Sequence, residues 1–134
     1  MKRSNRVFTA HESLVVDRRV RRLAELIAPI PGPDAAVLDV GCGSGEVLAQ
    51  ILSHRPDLAP HAQGIDILIR PNLAFPITEF DGTTIPHPDK SFDVVTFVDV
   101  LHHTEDPTVL LHEARRVARK QVITTHIDAP LMAT

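Results

Sequence analysis

The sequence predicts an α/β protein whose core is a doubly wound, mostly parallel β-sheet with helices on both faces. Short apolar runs alternate along the chain with helical patterns or longer loops, which is the order of elements typical of parallel sheets. The runs are nearly unbroken, as expected for strands buried on both faces. Three glycines at alternate positions, Gly41, Gly43 and Gly45, directly follow the first run. With 134 residues, the chain over 1–134 is predicted to form one domain.

The first predicted element is an amphipathic helix over about residues 10–28. Thr9 and Glu12 have the spacing of a capping box, in which the threonine caps the helix and the glutamate reaches back to it. Three prolines and a glycine within residues 29–33 are expected to end this helix. Its inward face is predicted from apolar residues at helical spacing, namely Val16, Val20, Leu23 and Ile27.

A strand, the glycine-rich loop and a second helix come next. Ala35–Val40 reads AAVLDV, which indicates a strand buried on both faces, and the glycines follow it without a break. The second helix is expected to end before Pro56. Its inward residues are predicted to be Val47, Leu48, Ile51 and Leu52.

Three further strands are predicted in the central part of the chain. His61–Asp66 is a short strand, and Ser91–Val98 is a buried one. The segment Leu73–Phe80 contains the third, and Pro76 within it favours an edge position because proline cannot donate a hydrogen bond to a neighbouring strand.

A last helix and a last strand complete the predicted sheet. Asp106 is placed to cap the helix, and Pro107 suits its first position because its φ is already helical. The helix is predicted to end near Lys120, and Gln121–Ile127 to form the fifth strand. The residues expected to face inward are Val109, Leu110, Ala114 and Val117.

Composition narrows the classes of function. A net charge of −3 offers no electrostatic case for binding nucleic acid or an anionic membrane surface. The single cysteine excludes an internal disulfide framework and fits a reducing compartment. No apolar run approaches the roughly 20 residues that span a bilayer, and the N-terminus has no apolar secretion-signal core. A cytoplasmic location is therefore expected.

The charges around the glycines indicate what kind of ligand the loop binds. A dinucleotide site has the pattern G-x-G-x-x-G, but here the third glycine comes one position early and Glu46 stands sixth. Asp39 precedes the loop, and a carboxylate beside a pyrophosphate would repel it by about 1 kcal/mol or more. The phosphate-loop Gly-Lys-Ser/Thr is also missing. The loop therefore suits a positively charged ligand without phosphate, and S-adenosylmethionine is one.

Four blocks of sequence, in the order VLDVGCGSG, GID, FDG and SFDVVTFVDVLHH, closely resemble the class I S-adenosylmethionine-dependent methyltransferases, in particular their small-molecule type 11 group. The resemblance runs from about residue 12 to about residue 127. It implies a Rossmann-like, three-layer α/β sandwich with S-adenosylmethionine as the cofactor.

The resemblance also implies roles for individual residues. Asp39, Gly41 and Gly43 would surround the methionine part of the cofactor, and Asp39 would act on its ammonium group, directly or through water. Val98 and Asp99 would close the far side of the site.

For the adenosine part, Asp66 would bind the ribose hydroxyls and Ile67 would lie against the adenine face. Asp81 and Gly82 would contact the adenine edge. For both Asp39 and Asp66 the alternative is a polar residue that merely ends a strand. For Asp81 it is a turn residue before glycine.

His102 and His103 follow the fourth strand, where the methyl acceptor is expected, and either is a candidate catalytic base. The alternative is that they only shape the pocket. The Asn-Pro-Pro-Tyr type motif of amino-group methylases is absent, which argues against nucleobase or glutamine methylation. Cys42 is expected to pack in the loop and not to act as a nucleophile.

Two other groups of residues carry weaker signals. The arginines of the first helix, at positions 18, 19, 21 and 22, are expected to form its solvated face. The eight histidines lack the H-E-x-x-H spacing, and there is no Cys/His cluster, so no metal site is expected.

The chain departs from the family near its end. The family's Pro-Gly-Gly turn before the fifth strand is replaced by Ala118-Arg119-Lys120, and the usual later helix and antiparallel hairpin find no counterpart in DAPLMAT. The sheet is thus expected to be truncated after the fifth strand, with apolar surface beside Val122–Ile127 and a tendency to self-associate. A fragment of a longer methyltransferase, a homodimer through this edge and a shortened non-catalytic protein are the alternatives, of which the first is favoured.

Taken together, the sequence predicts a methyltransferase that transfers a methyl group from S-adenosylmethionine to a small molecule. The alternative is a non-catalytic module that binds the cofactor or a partner, or an inactive fragment. The acceptor atom is not indicated by any residue.

Overall fold

The computed structural model describes residues 18–98, 100–101, 104–126 and 129–133, of which 126 and 129–133 are described by their backbone alone. The capping box of Thr9 and Glu12 and the predicted start of the first helix lie outside these residues, as do Asp99, His102 and His103.

Three α-helices occur in the described chain. The first helix, α1, occupies residues 18–27, and its inward residues Ala24 and Ile27 are fully buried. Helix α2 is Glu46–His54, and a 3₁₀-helix over Pro56–His61 follows it, so that α2 ends before the proline as predicted.

Helix α3 is Pro107–Val117, and Asp106 caps it by accepting a hydrogen bond from the Val109 amide over 3.3 Å. The predicted end near Lys120 is wrong, because the backbone is already extended at Ala118, where the fifth strand begins. Val109, predicted to face inward, is 39% exposed. The helix instead buries Leu110, Ala114 and Val117, a spacing of four and three residues that keeps one face on the sheet.

Six strands form one sheet in the order β3-β2-β1-β4-β5-β6. The first five are parallel, as predicted, and β3 lies at an edge. The strands are β1 Val37–Val40, β2 Ala62–Asp66, β3 Ile77–Glu79, β4 Phe92–Val98, β5 Ala118–His126 and β6 Ala129–Ala133.

The C-terminal edge of the sheet differs from the prediction. Strand β6 pairs with β5 in antiparallel orientation, with Ile123 opposite Ala133 and Thr124 opposite Met132. The expected open edge at the fifth strand is therefore wrong, because residues 129–133 pair with that strand and satisfy its backbone groups. The homodimer was predicted because this edge was expected to be unpaired, and the pairing with β6 removes that reason.

Two apolar cores lie on opposite faces of the sheet, which makes the three-layer arrangement. Successive side chains of a strand point to opposite faces, so Val37 joins one core and Leu38 and Val40 join the other. The core containing Val37 is closed by α1, α2 and the 3₁₀-helix, and the opposite core by α3.

The connection between β2 and β3, residues 67–76, contains no helix. Parallel strands are usually joined by a crossover of a dozen or more residues that covers the sheet with a helix. Here the shorter connection leaves four large apolar side chains partly in solvent: Ile67, Leu68, Ile69 and Leu73.

Candidate functional site

The strand order reverses direction between β1 and β4, and in doubly wound sheets the ligand crevice lies beside the carboxyl ends of the strands at such a point. A cavity of about 660 Å³ lies there. Most of the cofactor-binding residues predicted from the sequence line it: Gly41, Asp66, Ile67, Asp81, Gly82 and Val98.

The glycine loop leaves β1 in a conformation that side chains rarely adopt. Gly41 has a φ of 71°, and a Cβ added there would lie 2.6 Å from Cγ1 of Val100. Only glycine therefore lets the loop pass this close to the segment after β4. Gly43, with a φ of 60°, has open space around it except for the Arg70 guanidinium, 3.7 Å from the position of an added Cβ.

Asp66 ends β2 and is held in a fixed orientation by backbone amides. Its Oδ2 accepts a hydrogen bond from the Gly43 amide over 2.7 Å, and its Oδ1 accepts one from the Ile67 amide over 2.7 Å. The Leu68 amide approaches Oδ1 at 3.4 Å. The residue is 8% exposed and lines the cavity, so its carboxylate both joins the glycine loop to β2 and faces the site.

Asp39 lies behind the glycine loop and does not line the cavity. It is 2% exposed, and its Oδ1 accepts a hydrogen bond from the Thr96 hydroxyl over 2.8 Å. Burial raises the pKa of Asp39 to about 7, and the nearby Asp66 carboxylate adds to the rise, while the Thr96 hydrogen bond opposes it. Its charge thus depends on pH near neutrality.

Asp81 forms a turn at the far end of the cavity. Its Oδ1 accepts hydrogen bonds from the amides of Thr83 and Thr84, each over 2.8 Å, and these bonds hold its pKa below the ordinary value. This is the turn role considered as the alternative for Asp81, and the residue nevertheless lines the cavity. A Cβ added to Gly82 would lie 3.0 Å from Cγ2 of Ile67, so these two predicted residues are in contact.

The environment of Cys42 disfavours reaction of its thiol. Its thiol donates a weak hydrogen bond to the Ile65 carbonyl, with 3.5 Å between the sulfur and the oxygen. Burial raises the pKa of the Cys42 thiol above its usual range, and the neighbouring Asp39 and Asp66 carboxylates raise it further. A thiol that stays protonated is a poor nucleophile, as expected from the sequence.

The predicted site also includes Gly43, Val98, Asp99, His102 and His103. Gly43 does not line the cavity but donates its amide to Asp66. Asp99, His102 and His103 lie outside the described residues. Val98 ends β4 and lines the cavity.

The cavity also includes residues that sequence reasoning missed, among them Arg70, Thr104 and Glu105. Arg70 lies four positions after Asp66, in the same loop, and Thr104-Glu105 directly precede the cap of α3. Only their position in the chain could have indicated them, because both segments follow the carboxyl end of a strand at the crevice.

Two expectations concern the rest of the surface. The four arginines of α1 at positions 18, 19, 21 and 22 are exposed. In the described part of the chain no three His, Cys, Asp or Glu side chains are grouped as a metal site would need, and no helix there is long and apolar enough to cross a membrane.

The donor set of the cavity fits S-adenosylmethionine. The oriented carboxylate of Asp66 can accept hydrogen bonds from a ribose diol, and the exposed side chain of Ile67 offers an apolar surface for a base. The glycine loop provides the close backbone approach that a slim amino-acid chain requires.

Comparison with known proteins agrees with this geometry. A family model described as a methyltransferase domain matches residues 11–129. The chain is 27% identical over 123 residues to a 27-O-demethylrifamycin SV methyltransferase of Amycolatopsis mediterranei, covering 81% of this chain and 44% of that protein. It is 32% identical over 99 residues to a ubiquinone biosynthesis O-methyltransferase of Hahella chejuensis, covering 65% and 40%.

The fold has a counterpart among solved structures. An S-adenosylmethionine-dependent methyltransferase from Aquifex aeolicus superposes with a TM-score of 0.55 at 20% identity, covering 73% of this chain and 62% of that one. The chain spans less than half the length of the two sequence relatives. Because the methyltransferase domain matches residues 11–129 and the sheet is that of the family, the chain belongs to the class I S-adenosylmethionine-dependent methyltransferases, whose cofactor is S-adenosylmethionine.

Proposed function

We propose that this chain binds S-adenosylmethionine in the cavity beside β1, β2 and β4 and transfers its methyl group to a small-molecule acceptor. The observation that carries the proposal is the convergence of Gly41, Asp66 and Ile67 on one cavity of about 660 Å³. The names of the two sequence relatives, a demethylrifamycin methyltransferase and a ubiquinone biosynthesis O-methyltransferase, support a small molecule and an oxygen atom as the acceptor.

In this proposal Asp66 binds the ribose hydroxyls. Two strong backbone hydrogen bonds already orient its carboxylate, so little conformational entropy is lost when the diol binds. Ile67 packs against one face of the adenine ring, and Asp81 with Gly82 contacts the ring's edge. The contact between Ile67 and Gly82 supports this, since both then border the same end of the cavity.

Gly41 and Gly43 hold the methionine part of the cofactor, and Asp39 stabilises its ammonium group from behind the loop. A buried carboxylate acts strongly across a short distance because the interior screens charge less than water does. Val98 and Asp99 close the side of the site next to β4.

The bound cofactor supplies a methyl group that its sulfonium already activates. The protein therefore mainly positions the acceptor in line with that group and keeps water away. An acceptor hydroxyl must lose its proton during transfer, and we assign His102 or His103 as the base that takes it.

Calorimetric titration with S-adenosylhomocysteine tests the cofactor site. The wild-type chain is expected to bind, and Asp66→Ala to bind at least about tenfold more weakly, because a hydrogen bond to a charged group is lost. Glu25→Gln, which removes one negative charge from the exposed surface of α1, serves as the control and should bind like wild type. Absence of heat from the wild-type chain would refute the cofactor site, and unchanged affinity of Asp66→Ala would refute the ribose assignment.

The second candidate is a module that binds the cofactor without catalysis. Transfer of a radiolabelled methyl group from S-adenosylmethionine to any of a panel of small hydroxylated molecules would exclude it. Binding of S-adenosylhomocysteine with no transfer to the whole panel would favour it.

A further inference from the structure

Arg70 is a basic side chain at the cavity to which neither the family pattern nor the proposed function assigns a role. It lies in the connection between β2 and β3, and its Nε is 3.7 Å from the position of a Cβ built on Gly43. Its guanidinium therefore lies beside Gly43 of the glycine loop. It makes no ion pair or hydrogen bond with the described residues, so its five donors remain available there for a ligand.

The connection that carries Arg70 is attached to the glycine loop at two points. At its start, the amides of Ile67 and Leu68 donate to Oδ1 of Asp66, whose Oδ2 accepts from Gly43. Further along, the Ala74 amide donates to the Ser44 carbonyl over 2.7 Å. Arg70 is thus held near Gly43 by backbone contacts on both sides and not by its own side chain.

The charges that line the cavity are unequal. Within the described lining, four carboxylates face the cavity, from Asp66, Asp81, Glu105 and Asp106, and Arg70 carries the one positive charge. A ligand with positive charge alone would be attracted by the carboxylates and repelled by Arg70. A ligand that also carries a carboxylate gains from both.

Asp66 lies between two groups of residues, since its Oδ2 accepts from Gly43, next to Arg70, and its Oδ1 accepts from Ile67, next to Gly82. If the ribose binds at Asp66, the base extends towards Ile67 and Gly82, which contact each other. The side next to Gly43 and Arg70 then receives the amino-acid part of the ligand.

We propose that Arg70 binds the carboxylate of the cofactor's methionine part. The proposal rests on the proposed function, because it requires S-adenosylmethionine in this cavity. The planar guanidinium forms two parallel hydrogen bonds with a carboxylate, which gives orientation as well as affinity. Arg70 and Asp39 then share the recognition of one amino acid: Arg70 neutralises its carboxylate and Asp39 its ammonium.

The test compares two ligands that differ only in the carboxylate. S-adenosylhomocysteine and its decarboxylated analogue, S-adenosyl-3-thiopropylamine, are titrated by calorimetry into the full wild-type chain, Arg70→Ala, Arg70→Lys and the control Arg115→Ala. Arg115 is exposed on α3 and does not line the cavity, so its removal changes the net charge equally. Far-UV circular dichroism checks that each variant is folded.

The expected result is a loss specific to one ligand. Arg70→Ala should bind S-adenosylhomocysteine about tenfold more weakly than wild type and the decarboxylated analogue with unchanged affinity. Arg70→Lys should recover part of the loss, because it keeps the charge but not the paired hydrogen bonds. Added salt should reduce the difference between wild type and Arg70→Ala.

Two results would overturn the assignment. Equal weakening of both ligands by Arg70→Ala would mean that Arg70 acts on the adenosine part or on the loop, and unchanged binding of both would mean that it does not contact the cofactor. Failure of the wild-type chain to bind either ligand would overturn the cofactor site itself, which separates the two proposals.

Discussion

Replacing Asp39 with asparagine is expected to make the folded protein more stable above neutral pH. The pKa of Asp39 is raised from 3.8 to about 7 by burial behind the glycine loop. The folded state therefore holds the proton more tightly than the unfolded state, so the stability this group contributes is fully present below pH 3.8 and is lost as the pH rises through 7. Asparagine stays neutral at every pH, and its Oδ1 can still accept the Thr96 hydrogen bond.

The size of the effect follows from the pKa change. A rise from 3.8 to about 7 corresponds to about 4 kcal/mol in the free energy of unfolding, as an upper bound for a group that is 2% exposed. The free energies of unfolding of Asp39→Asn and wild type should therefore differ little near pH 4. At pH 8 the variant should be more stable by up to about 4 kcal/mol. If the asparagine amide itself destabilises the folded state, that loss is the same at every pH and does not change how the stability difference varies with pH.

Urea unfolding followed by far-UV circular dichroism at several pH values between 4 and 8 measures this difference, since the chain has no tryptophan or tyrosine for fluorescence. Asp93→Asn is a control of opposite sign. Asp93 accepts hydrogen bonds from Arg119 and the Ala36 amide, which lower its pKa, so its contribution is present at pH 8 and lost as the pH falls. A difference between Asp39→Asn and wild type that is the same at all pH values would refute the raised pKa.

Three further predictions concern stability and reactivity. Gly41→Ala should lower the free energy of unfolding by at least about 1–2 kcal/mol, because φ is 71° and the new Cβ would lie 2.6 Å from Val100; adding Val100→Ala should restore only part of it in urea unfolding. Arg55→Ala should lower the free energy of unfolding by about 2–3 kcal/mol, because Arg55 donates to the carbonyls of residues 28, 31 and 32. The control variant Arg115→Ala should leave the thermal midpoint unchanged. Cys42 should react with a thiol reagent at pH 8 more than about tenfold slower in the folded chain than in urea, and equal rates would contradict its raised pKa.

The pattern of apolar runs was sufficient to predict the parallel sheet, since strands buried on both faces leave a nearly continuous apolar signal in the chain. The edge position of β3 was also predicted correctly, although Pro76, on which that prediction rested, lies just before the strand Ile77–Glu79 and not within it. The end of α3 was misplaced by three residues. Nothing in Ala118-Arg119-Lys120 opposes a helix, and it is the pairing of Ala118 with Phe92 of β4 that makes these residues extended.

The strand at the outer edge of the sheet could not be predicted from the local sequence either. DAPLMAT carries no strong strand pattern, and residues 129–133 become a strand because β5 offers unpaired backbone groups beside them.

For the site, the sequence by itself determined which residues follow the strand ends, because glycines and aspartates after apolar runs mark that edge of a parallel sheet. Only the tertiary structure decided what those residues do together. The orientation of Asp66 by the Gly43 amide, the burial of Asp39 against Thr96 and the approach of Arg70 to the glycine loop join segments that are far apart in the chain. Spacing along a sequence specifies backbone pattern, whereas burial and charge depend on which distant segments are packed side by side.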